Sequence, residues 1–462
     1  MKTRTLLGLI LAAIACVAAW IAVRERAPVA PEAARAPLFA PEEIPLEAVD
    51  RIELVRPGAP PMRFERDAQG WWQRAPFAHP ADAASMRLVI DTAAALERSR
   101  AVDPGTIDAT ARAALGLEPP KATVTLGWPG GERVIELGRR TIAGRAWARV
   151  QGRTEAVSVD AALHALAVEG DPRQWRAMRL YDAAGAGDVA RIEMRDGRNP
   201  PGPLVVERRE GRWRVTAPFQ ARADAEAVRG YLEALARAEA DAFAADQPSE
   251  MAAFGLAKPE LGVTLRRPAA AGQAPERAAA IEVGAPVAEG ASERFAQIDG
   301  RPAVVQLGVK AIAALFPPRA FFIDPRGCDA VPADVRRIEF VPFSPLNPTD
   351  QPAFTLDRTL EGWTLRAGAP APVPADAETA RRLLAQLCEA RAPAVSFVGL
   401  PDELRLGEFR LYGTDPQPLA TVRVAHEPQG QWALTDDGGV LRVFPPNFGV
   451  RTEAADYAGG TR

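Results

Sequence analysis

The stretch VDRIEL, at Val49–Leu54, recurs as VARIEM at Val189–Met194 and as VRRIEF at Val335–Phe340. The three starts lie 140 and 146 residues apart, which is too long for a solenoid repeat and matches the length of a domain. Each copy alternates polar and apolar side chains, the period of a strand with one buried face. In the first copy we therefore expect Ile52 and Leu54 to face a core, and the charged residues beside them to face water or a neighbouring strand.

Further landmarks follow each of these strands in the same order. A tryptophan strand comes next, then an aspartate that begins an amphipathic segment, a Gly-Leu turn, a pair of strands and a glycine-containing hairpin. The landmark residues are Trp71, Asp82, Gly116 and Gly152 in the first copy; Trp213, Asp224, Gly255 and Gly300 in the second; and Trp363, Asp376, Gly399 and Gly438 in the third. Chance does not produce ordered matches of this kind at three places, so the sequence predicts a triplicated module.

Each landmark has a local structural interpretation. The aspartates suit helix N-caps, because their carboxylates accept hydrogen bonds from backbone N–H groups in the first turn. The segments after them, such as Asp82–Arg100, place apolar residues at helical spacing. The Gly-Leu turns resemble helix C-caps, and the hairpin glycines supply the positive φ that tight turns need. We expect the tryptophans to anchor the cores, with stacking on a sugar or lipid as the alternative.

These interpretations predict the α+β class, with three tandem copies of a module in which an antiparallel sheet carries a helix on one face. Each copy is expected to run β-β-β-α-turn-β-β-β-β, with a short helix after it in the first two copies. The predicted modules span residues 46–182, 187–325 and 333–455. The junctions between them, Asp182–Gly187 and Asp324–Pro332, are small, polar or rich in glycine and proline, as linkers are.

An apolar run of 19 residues without a charge, Thr5–Val23, precedes the modules. At ~1.5 Å per residue it just spans a ~30 Å hydrocarbon core, so we expect residues 1–26 to form an N-terminal transmembrane helix that anchors the chain. A cleaved signal peptide and a lipidated Cys16 are the alternatives. All three place the rest of the chain outside the cytoplasm. The proline-rich residues 27–45 are expected to form a stiff spacer.

Candidate residues for chemistry are sparse in this sequence. The net charge of −3 lacks the basic excess that a nucleic acid partner requires. The three histidines, His79, His164 and His426, have no zinc-like spacing, and no C-x-x-C, nucleophile-elbow, phosphate-loop or dinucleotide motif occurs in a fitting context. We therefore assign no catalytic, cofactor-binding or metal residue and expect no cofactor. His79 is expected in a surface loop, and Cys328 and Cys388 either pair in an oxidising compartment or stay apart.

The combination of motifs resembles the bacterial family called domain of unknown function 4340. In the first copy the matching motifs are the V-x-x-I strand at Val49–Ile52, the tryptophan strand at Gly70–Trp72, the helix start at Pro80–Asp82 and the Gly-Leu turn at Gly116–Pro119. The third copy departs most from the pattern, through an inserted SPLNPTDQP and a shifted proline. The resemblance implies a membrane-tethered, extracytoplasmic protein that accompanies ABC-type permease systems, including those linked to gliding motility.

The expected function follows from the anchor, the repeats and the resemblance. We expect a non-catalytic scaffold or accessory subunit of an ABC-type envelope transport system. A single-pass helix would hold it in the bacterial inner membrane, with most of the chain in the periplasm. Its expected partners are the membrane and envelope proteins such as a permease, and no nucleic acid. The alternatives are a polysaccharide- or lipid-binding module and, as the least favoured, an enzyme.

Overall fold

The computed structural model describes most of the chain downstream of the predicted anchor. The described residues are 36–68, 70–102, 108–141, 144–182, 188–197, 202–268, 276–299, 301–344, 350–368, 371–436 and 440–459. The predicted anchor at residues 1–26 with its Cys16, residues 27–35 of the predicted spacer, Gly300 and Gly438 lie outside these residues. Among the described residues, no helix has the length and apolar character needed to cross a membrane.

The chain divides into two compact units, which adjoin at Met178 and Arg179. The first unit contains one antiparallel sheet, whose strand order is β1-β6-β10-β9-β8-β7-β2-β3-β4-β5 once the strands are numbered along the chain. Those strands are β1 (Ala36–Pro37), β2 (Arg51–Val55), β3 (Met62–Asp67), β4 (Gly70–Ala75), β5 (His79–Pro80), β6 (Glu97–Val102), β7 (Ala122–Trp128), β8 (Gly131–Arg140), β9 (Arg145–Val150) and β10 (Ala156–Asp160).

The second unit contains two further antiparallel sheets. The strands of the second sheet are β11 (Arg191–Asp196), β12 (Leu204–Arg209), β13 (Arg212–Ala217), β14 (Ala221–Arg222), β15 (Ala242–Ala245), β16 (Leu261–Arg266), β17 (Arg277–Pro286), β18 (Arg294–Ile298) and β19 (Val304–Leu307). Those of the third are β20 (Arg337–Pro342), β21 (Phe354–Thr359), β22 (Gly362–Arg366), β23 (Val373–Pro374), β24 (Ala394–Ser396), β25 (Arg405–Tyr412), β26 (Pro418–His426), β27 (Trp432–Thr435) and β28 (Leu441–Phe444). Their orders are β14-β13-β12-β11-β16-β17-β18-β19-β15 and β23-β22-β21-β20-β25-β26-β27-β28-β24.

The described residues also contain six α-helical segments. They are α1 (Ala83–Ala94), α2 (Ala109–Leu115), α3 (Ala162–His164), α4 (Ala225–Arg237), α5 (Val309–Leu315) and α6 (Ala377–Cys388). A π-helical turn, Ala165–Glu169, continues α3. The long helices α1, α4 and α6 follow the aspartates, and α3 and α5 are the short helices expected after the first two copies.

All three sheets share one strand order, apart from the extra edge strand β1 of the first. In each, the strand that contains the repeated motif lies inside the sheet, with strands paired on both sides: β2, β11 and β20. Ile52 and Leu54 are buried as predicted, while Arg51 on the opposite face forms an ion pair of 2.9 Å with Glu132 of β8. The structure therefore confirms repeated sheet modules, whereas the exact module limits given above stay predictions.

Each module closes in the same way, by a contact that the sequence did not predict. The backbone N–H groups of Asp82, Asp224 and Asp376 each donate a hydrogen bond of 2.9 Å to a carbonyl oxygen near the end of the same copy. The accepting residues are Trp175, Phe322 and Tyr457, all buried aromatic residues. The end of each module is thereby fixed to the start of its long helix.

The predicted helix of the first copy is too long. The pattern Asp82–Arg100 predicts a helix through Leu96, but α1 ends at Ala94 and Glu97–Val102 forms β6. Strand β6 pairs with both β10 and β1, so it gains two ladders of backbone hydrogen bonds that a longer helix would forfeit. These tertiary contacts outweigh local helix propensity, which differs by only ~0.7 kcal/mol among ordinary residues.

The Gly-Leu turns confirm the predicted C-caps in two of the three copies. Gly116 and Gly255 are left-handed at φ 72° and 68°, whereas Gly399 of the third copy is not in that region, so its predicted cap is wrong. A glycine under each capped turn explains the difference. A Cβ on Gly138 would lie 2.5 Å from the carbonyl oxygen of Leu115, and a Cβ on Gly284 would overlap that of Phe254.

The third sheet has an alanine at this position beneath the turn. The equivalent position is found from the strand pairing. Val283 pairs with Leu261 near the start of β16, and Val424 pairs with Gly407 near the start of β25. The residues that follow them, Gly284 and Ala425, therefore occupy the same place in their sheets. An alanine Cβ excludes the close approach that the capped turn makes in the other copies, so the turn of the third copy takes another path. Phe397 and Val398 on that path are exposed.

We predict opposite effects for the same glycine-to-alanine change at two positions of the second sheet's module. Gly284→Ala should lower the free energy of unfolding by about 1–3 kcal/mol, because the new Cβ overlaps the Phe254 carbonyl. Gly230→Ala, in the middle of α4 with open space around the new Cβ, should raise it by about 0.5–1 kcal/mol. Urea unfolding followed by tryptophan fluorescence measures both, and a shift of the same sign in both variants would contradict the assigned turn packing.

Candidate functional site: the charged junction of the second unit

The linker between the second and third sheets is packed rather than exposed. It begins at Asp324, which is 4% exposed, and contains the fully buried Cys328. Backbone hydrogen bonds fix it on both sides: Asp324 N–H donates to the carbonyl of Arg222 at 3.0 Å, and Cys328 N–H donates to that of Leu387 at 2.9 Å. The predicted linker composition was correct, but its surroundings make it part of the protein interior.

A cluster of charged side chains surrounds this linker. We call it the junction cluster; its members are Arg222, Asp324, Arg326, Asp436 and Arg442. Arg222, on the edge strand β14 of the second sheet, is 6% exposed. Its guanidinium bonds to Asp324 at 2.6 Å, to Asp436 at 2.5 Å and to the carbonyl oxygen of Arg326 at 2.6 Å. One side chain of the second sheet thus contacts both the linker and the β27–β28 hairpin of the third sheet.

Two further arginines complete the pairing of the carboxylates. Arg326 donates from Nε and Nη2 to the two carboxylate oxygens of Asp324, at 3.0 and 2.8 Å. Arg442, fully buried on β28, donates to the backbone carbonyl of Asp324 at 3.0 Å and to the carboxylate of Asp436 at 3.3 Å. Each carboxylate therefore has two arginine partners, which is the condition under which buried charges are tolerated.

The electrostatics of the cluster favour permanent charges. Burial alone would raise the pKa of Asp324, but the hydrogen bonds from Arg326 and the charge of Arg222 outweigh it, so that pKa lies below its ordinary value. Burial opposes the charge on Arg222 as well, and the carboxylates of Asp436 and Asp324 outweigh it and raise that pKa. A general acid at neutral pH needs a raised carboxyl pKa, so Asp324 suits a structural ion pair instead.

Contacts at the rim extend the junction beyond the cluster. Arg391, just after α6, bonds to the capping residue Asp224 at 2.7 Å. The rings of Phe219 and Phe397 lie 4.8 Å apart between their centroids. A cavity of about 340 Å³ opens beside the cluster, lined in part by Trp213, Arg222 and Arg326. The junction therefore combines a buried charged centre with a polar opening.

One local sign of the junction cluster is present in the sequence and is missed by the motif patterns. The backbone carbonyl of Arg222 accepts a hydrogen bond from the closing segment in the same way as those of Pro80 and Pro374 in the other copies. A proline is thus replaced by arginine only in the second copy. Its partner Asp436 is 214 residues away in sequence, so the pairing itself has no local signal.

The predicted N-caps are confirmed in all three copies. The side chain of Asp82 accepts a hydrogen bond from Ser85 N–H, that of Asp224 from Glu226 N–H, and that of Asp376 from Glu378 and Thr379 N–H. The distances from the backbone nitrogens of Ser85, Glu226 and Glu378 to these carboxylate oxygens lie between 2.8 and 3.0 Å. The backbone hydrogen bonds from Glu378 and Thr379 also lower the pKa of Asp376.

The three tryptophans divide into two kinds. Trp71 and Trp363 are buried in the cores of the first and third sheets, as predicted. Trp213 is partly exposed and lines a groove of about 510 Å³ with Val228, Leu232 and other residues, so the prediction of a core role is wrong for this copy. The groove lies between α4 and the start of the second sheet.

The three histidines lie in different local environments. His79 is 2% exposed in β5, with its Nδ1 2.8 Å from the carbonyl oxygen of Pro80, so the predicted surface loop is wrong. The short strand β5 pairs with β4 and carries His79 inward, because strand side chains alternate between faces. His164 is buried against Gly138, and His426 lies on an exposed strand face beside Trp432. Within the residues that the structure describes, no three metal-ligating side chains group together.

Repeated antiparallel sheets and a charge-paired junction define the class of this chain as a tandem sheet-module protein. The family model described as Domain of unknown function (DUF4340) matches residues 213–417. The match begins in β13 and ends before β26, so it includes α4, the packed linker and α6. The resemblance predicted from the motifs is therefore confirmed for this part of the chain. Comparisons with curated proteins and with solved structures give no match.

Proposed function

We propose that this protein is a membrane-tethered, extracytoplasmic scaffold or accessory subunit of an ABC-type envelope transport system. The observation that carries the proposal is the junction cluster, in which Arg222 of one module holds the linker and the next module through paired, buried charges. Such pairs demand a defined geometry, because each charge loses its compensation when its partner moves. Two modules fixed in this way present their surfaces at a constant spacing, which is the property that a scaffold needs.

The tether and the partner class have separate support. The uncharged run Thr5–Val23 has the length of a membrane span. The confirmed resemblance over residues 213–417 is to a family whose members were expected to be extracytoplasmic companions of permeases. Together these features favour a partner in the same membrane, and a permease subunit fits that description.

An exposed apolar segment supports a protein contact. We call it the third-copy turn; it runs from Phe397 to Leu406, directly after the edge strand β24. Val398 is 70% exposed, and Phe397 and Leu406 are exposed as well. Exposed apolar side chains beside an unpaired strand edge are typical of surfaces that receive another chain.

The test is co-purification of the full chain from bacterial membranes in a mild detergent. We expect a permease subunit to be recovered with the wild-type chain, and Val398→Asp to reduce its recovery by about tenfold, which corresponds to ~1.4 kcal/mol of binding. Leu360→Asp is the matched control, because Leu360 is fully exposed at a hairpin tip of the same sheet. Recovery of the wild-type chain without any permease subunit would refute the proposed association.

The groove at Trp213 favours a second candidate function, the binding of a polysaccharide or lipid. The partly exposed indole of Trp213, beside Leu232 and Arg208, offers a stacking face and a cation at one place. Binding of the full chain to immobilised glycans or lipid vesicles, lost in Trp213→Ala with unchanged stability, would support this candidate. Unchanged binding in that variant would exclude the groove as the site.

A further inference from the structure

The two buried cysteines of the second unit meet at the packed linker. Cys328 lies on the linker and Cys388 is the last residue of α6, 60 residues further along the chain. Their Sγ atoms are 3.3 Å apart in a hydrogen bond, and both are free thiols in this structure. Both side chains belong to the core of the third sheet's module.

Backbone hydrogen bonds hold the segments that carry the two cysteines side by side. Cys328 N–H donates to the carbonyl of Leu387, the residue before Cys388, at 2.9 Å. Ala392 N–H donates to the carbonyl of Pro325 at 3.0 Å, so the linker runs beside the end of α6 on both sides of the thiols. Gly327 permits this approach, because a Cβ there would lie 2.5 Å from the carbonyl oxygen of Leu387. Bond formation requires the two Sγ atoms to approach from 3.3 Å to the ~2.05 Å of an S–S bond.

We propose that Cys328 and Cys388 are a disulfide-forming pair that joins the inter-module linker to α6. In the reaction each thiol loses a proton, and the two sulfur atoms together give two electrons to a disulfide donor, which is reduced to a dithiol. In the folded chain the hydrogen bond with Cys388 lowers the pKa of the Cys328 thiol, while burial opposes this.

Oxidation in the cell rests on the extracytoplasmic location proposed above, because disulfides persist outside the cytoplasm and are rare within it. Both thiols are buried once the module has folded, so the bond forms while the linker still moves relative to α6. The disulfide then adds a covalent restraint next to the junction cluster, since Arg222 bonds to the carbonyl of Arg326, two residues before Cys328. The two cysteines therefore belong to the same junction as the charged side chains of the junction cluster.

The test uses the full chain in two experiments and reads out one tryptic product. This product is a disulfide-linked pair of tryptic peptides, Gly327–Arg336 and Leu383–Arg391. It contains Cys328 and Cys388 and excludes Cys16. In the first experiment the chain is unfolded, reduced, and refolded in a buffer of reduced and oxidised glutathione. The second experiment uses cells that produce the chain. Acid and N-ethylmaleimide block the free thiols during lysis of these cells. We expect the linked peptide in both experiments, and in the first a thermal midpoint about 5 °C or more above that of the reduced chain.

The outcomes separate the pair from its location. Absence of the linked peptide after refolding, or glutathione attached to both cysteines instead, would overturn the disulfide. Linkage after refolding but free thiols in cells would support the pair and contradict the proposed extracytoplasmic location. Cys388→Ala is the control, because its thermal midpoint should be the same with and without reductant, whatever its absolute stability.

Discussion

Replacing Arg222 by methionine is expected to lower the free energy of unfolding of the second unit by about 3–5 kcal/mol. The variant removes the cation that Asp324 and Asp436 share, and leaves each carboxylate with a single arginine, Arg326 or Arg442. A buried carboxylate that loses one of its two cations must either remain charged with weaker compensation or take up a proton. Urea unfolding monitored by circular dichroism measures the loss.

Arg229→Met provides the matched control for this prediction. Arg229 lies on α4 in the same module and pairs with Glu226, but both side chains are exposed. Exposed pairs contribute only ~0.5 kcal/mol, so this variant should unfold almost as the wild type does. Equal losses in the two variants would show that Arg222 does not fix the junction.

Removal of the whole junction cluster supplies a rescue experiment. In the quintuple variant Arg222→Met, Arg326→Met, Arg442→Met, Asp324→Asn, Asp436→Asn, the charges of both signs are removed together, so no arginine or carboxylate stays in the junction without a partner. We expect more than half of the loss to be recovered, because replacing a whole buried ion cluster costs far less than breaking it. The same variants decide whether the second and third sheets unfold in one transition, as modules fixed by a shared cluster should.

Much of the fold was predictable because its determinants are local. The strand β2 follows from the alternation in VDRIEL, and the caps at Asp82, Asp224 and Asp376 follow from residue type at a helix start. These features depend on neighbours within a few residues, so the same local pattern is recognisable in each of the three copies. Their repetition made the triplicated module the most secure prediction.

The parts that were missed depend on partners distant in sequence. Strand β6 was read as helix because its pairing with β10 is formed with residues over 50 positions away. His79 was placed on the surface because the inward face of β5 is set by β4. The junction cluster combines β14 with the β27–β28 hairpin. The hydrophobic pattern of neither segment indicates that the two are in contact. Fold class is therefore readable from local patterns here, while the candidate site is not.

The tryptophan landmark provides the second large effect, because identical residues at equivalent strand positions should respond differently. Trp363→Ala is expected to lower the free energy of unfolding by about 3–5 kcal/mol, since Trp363 fills the core between β22 and α6. Trp213→Ala should cost only about 1 kcal/mol, because its partly exposed ring buries less apolar surface and leaves no closed cavity. Both losses are measured by urea unfolding followed by circular dichroism.

The difference in destabilisation between Trp363→Ala and Trp213→Ala is more informative than either value. Both variants remove the same side chain from equivalent strands of two copies of the module. A third variant, Trp71→Ala, should behave like Trp363→Ala, since Trp71 is also in a core. If Trp213→Ala were as destabilising as the other two, its ring would be a core residue, and the groove could not serve as a stacking site. If the loss of stability in Trp213→Ala is small, the indole of the second copy is accessible at a position that is buried in the other two copies. A ligand contact there can then be tested without unfolding the module.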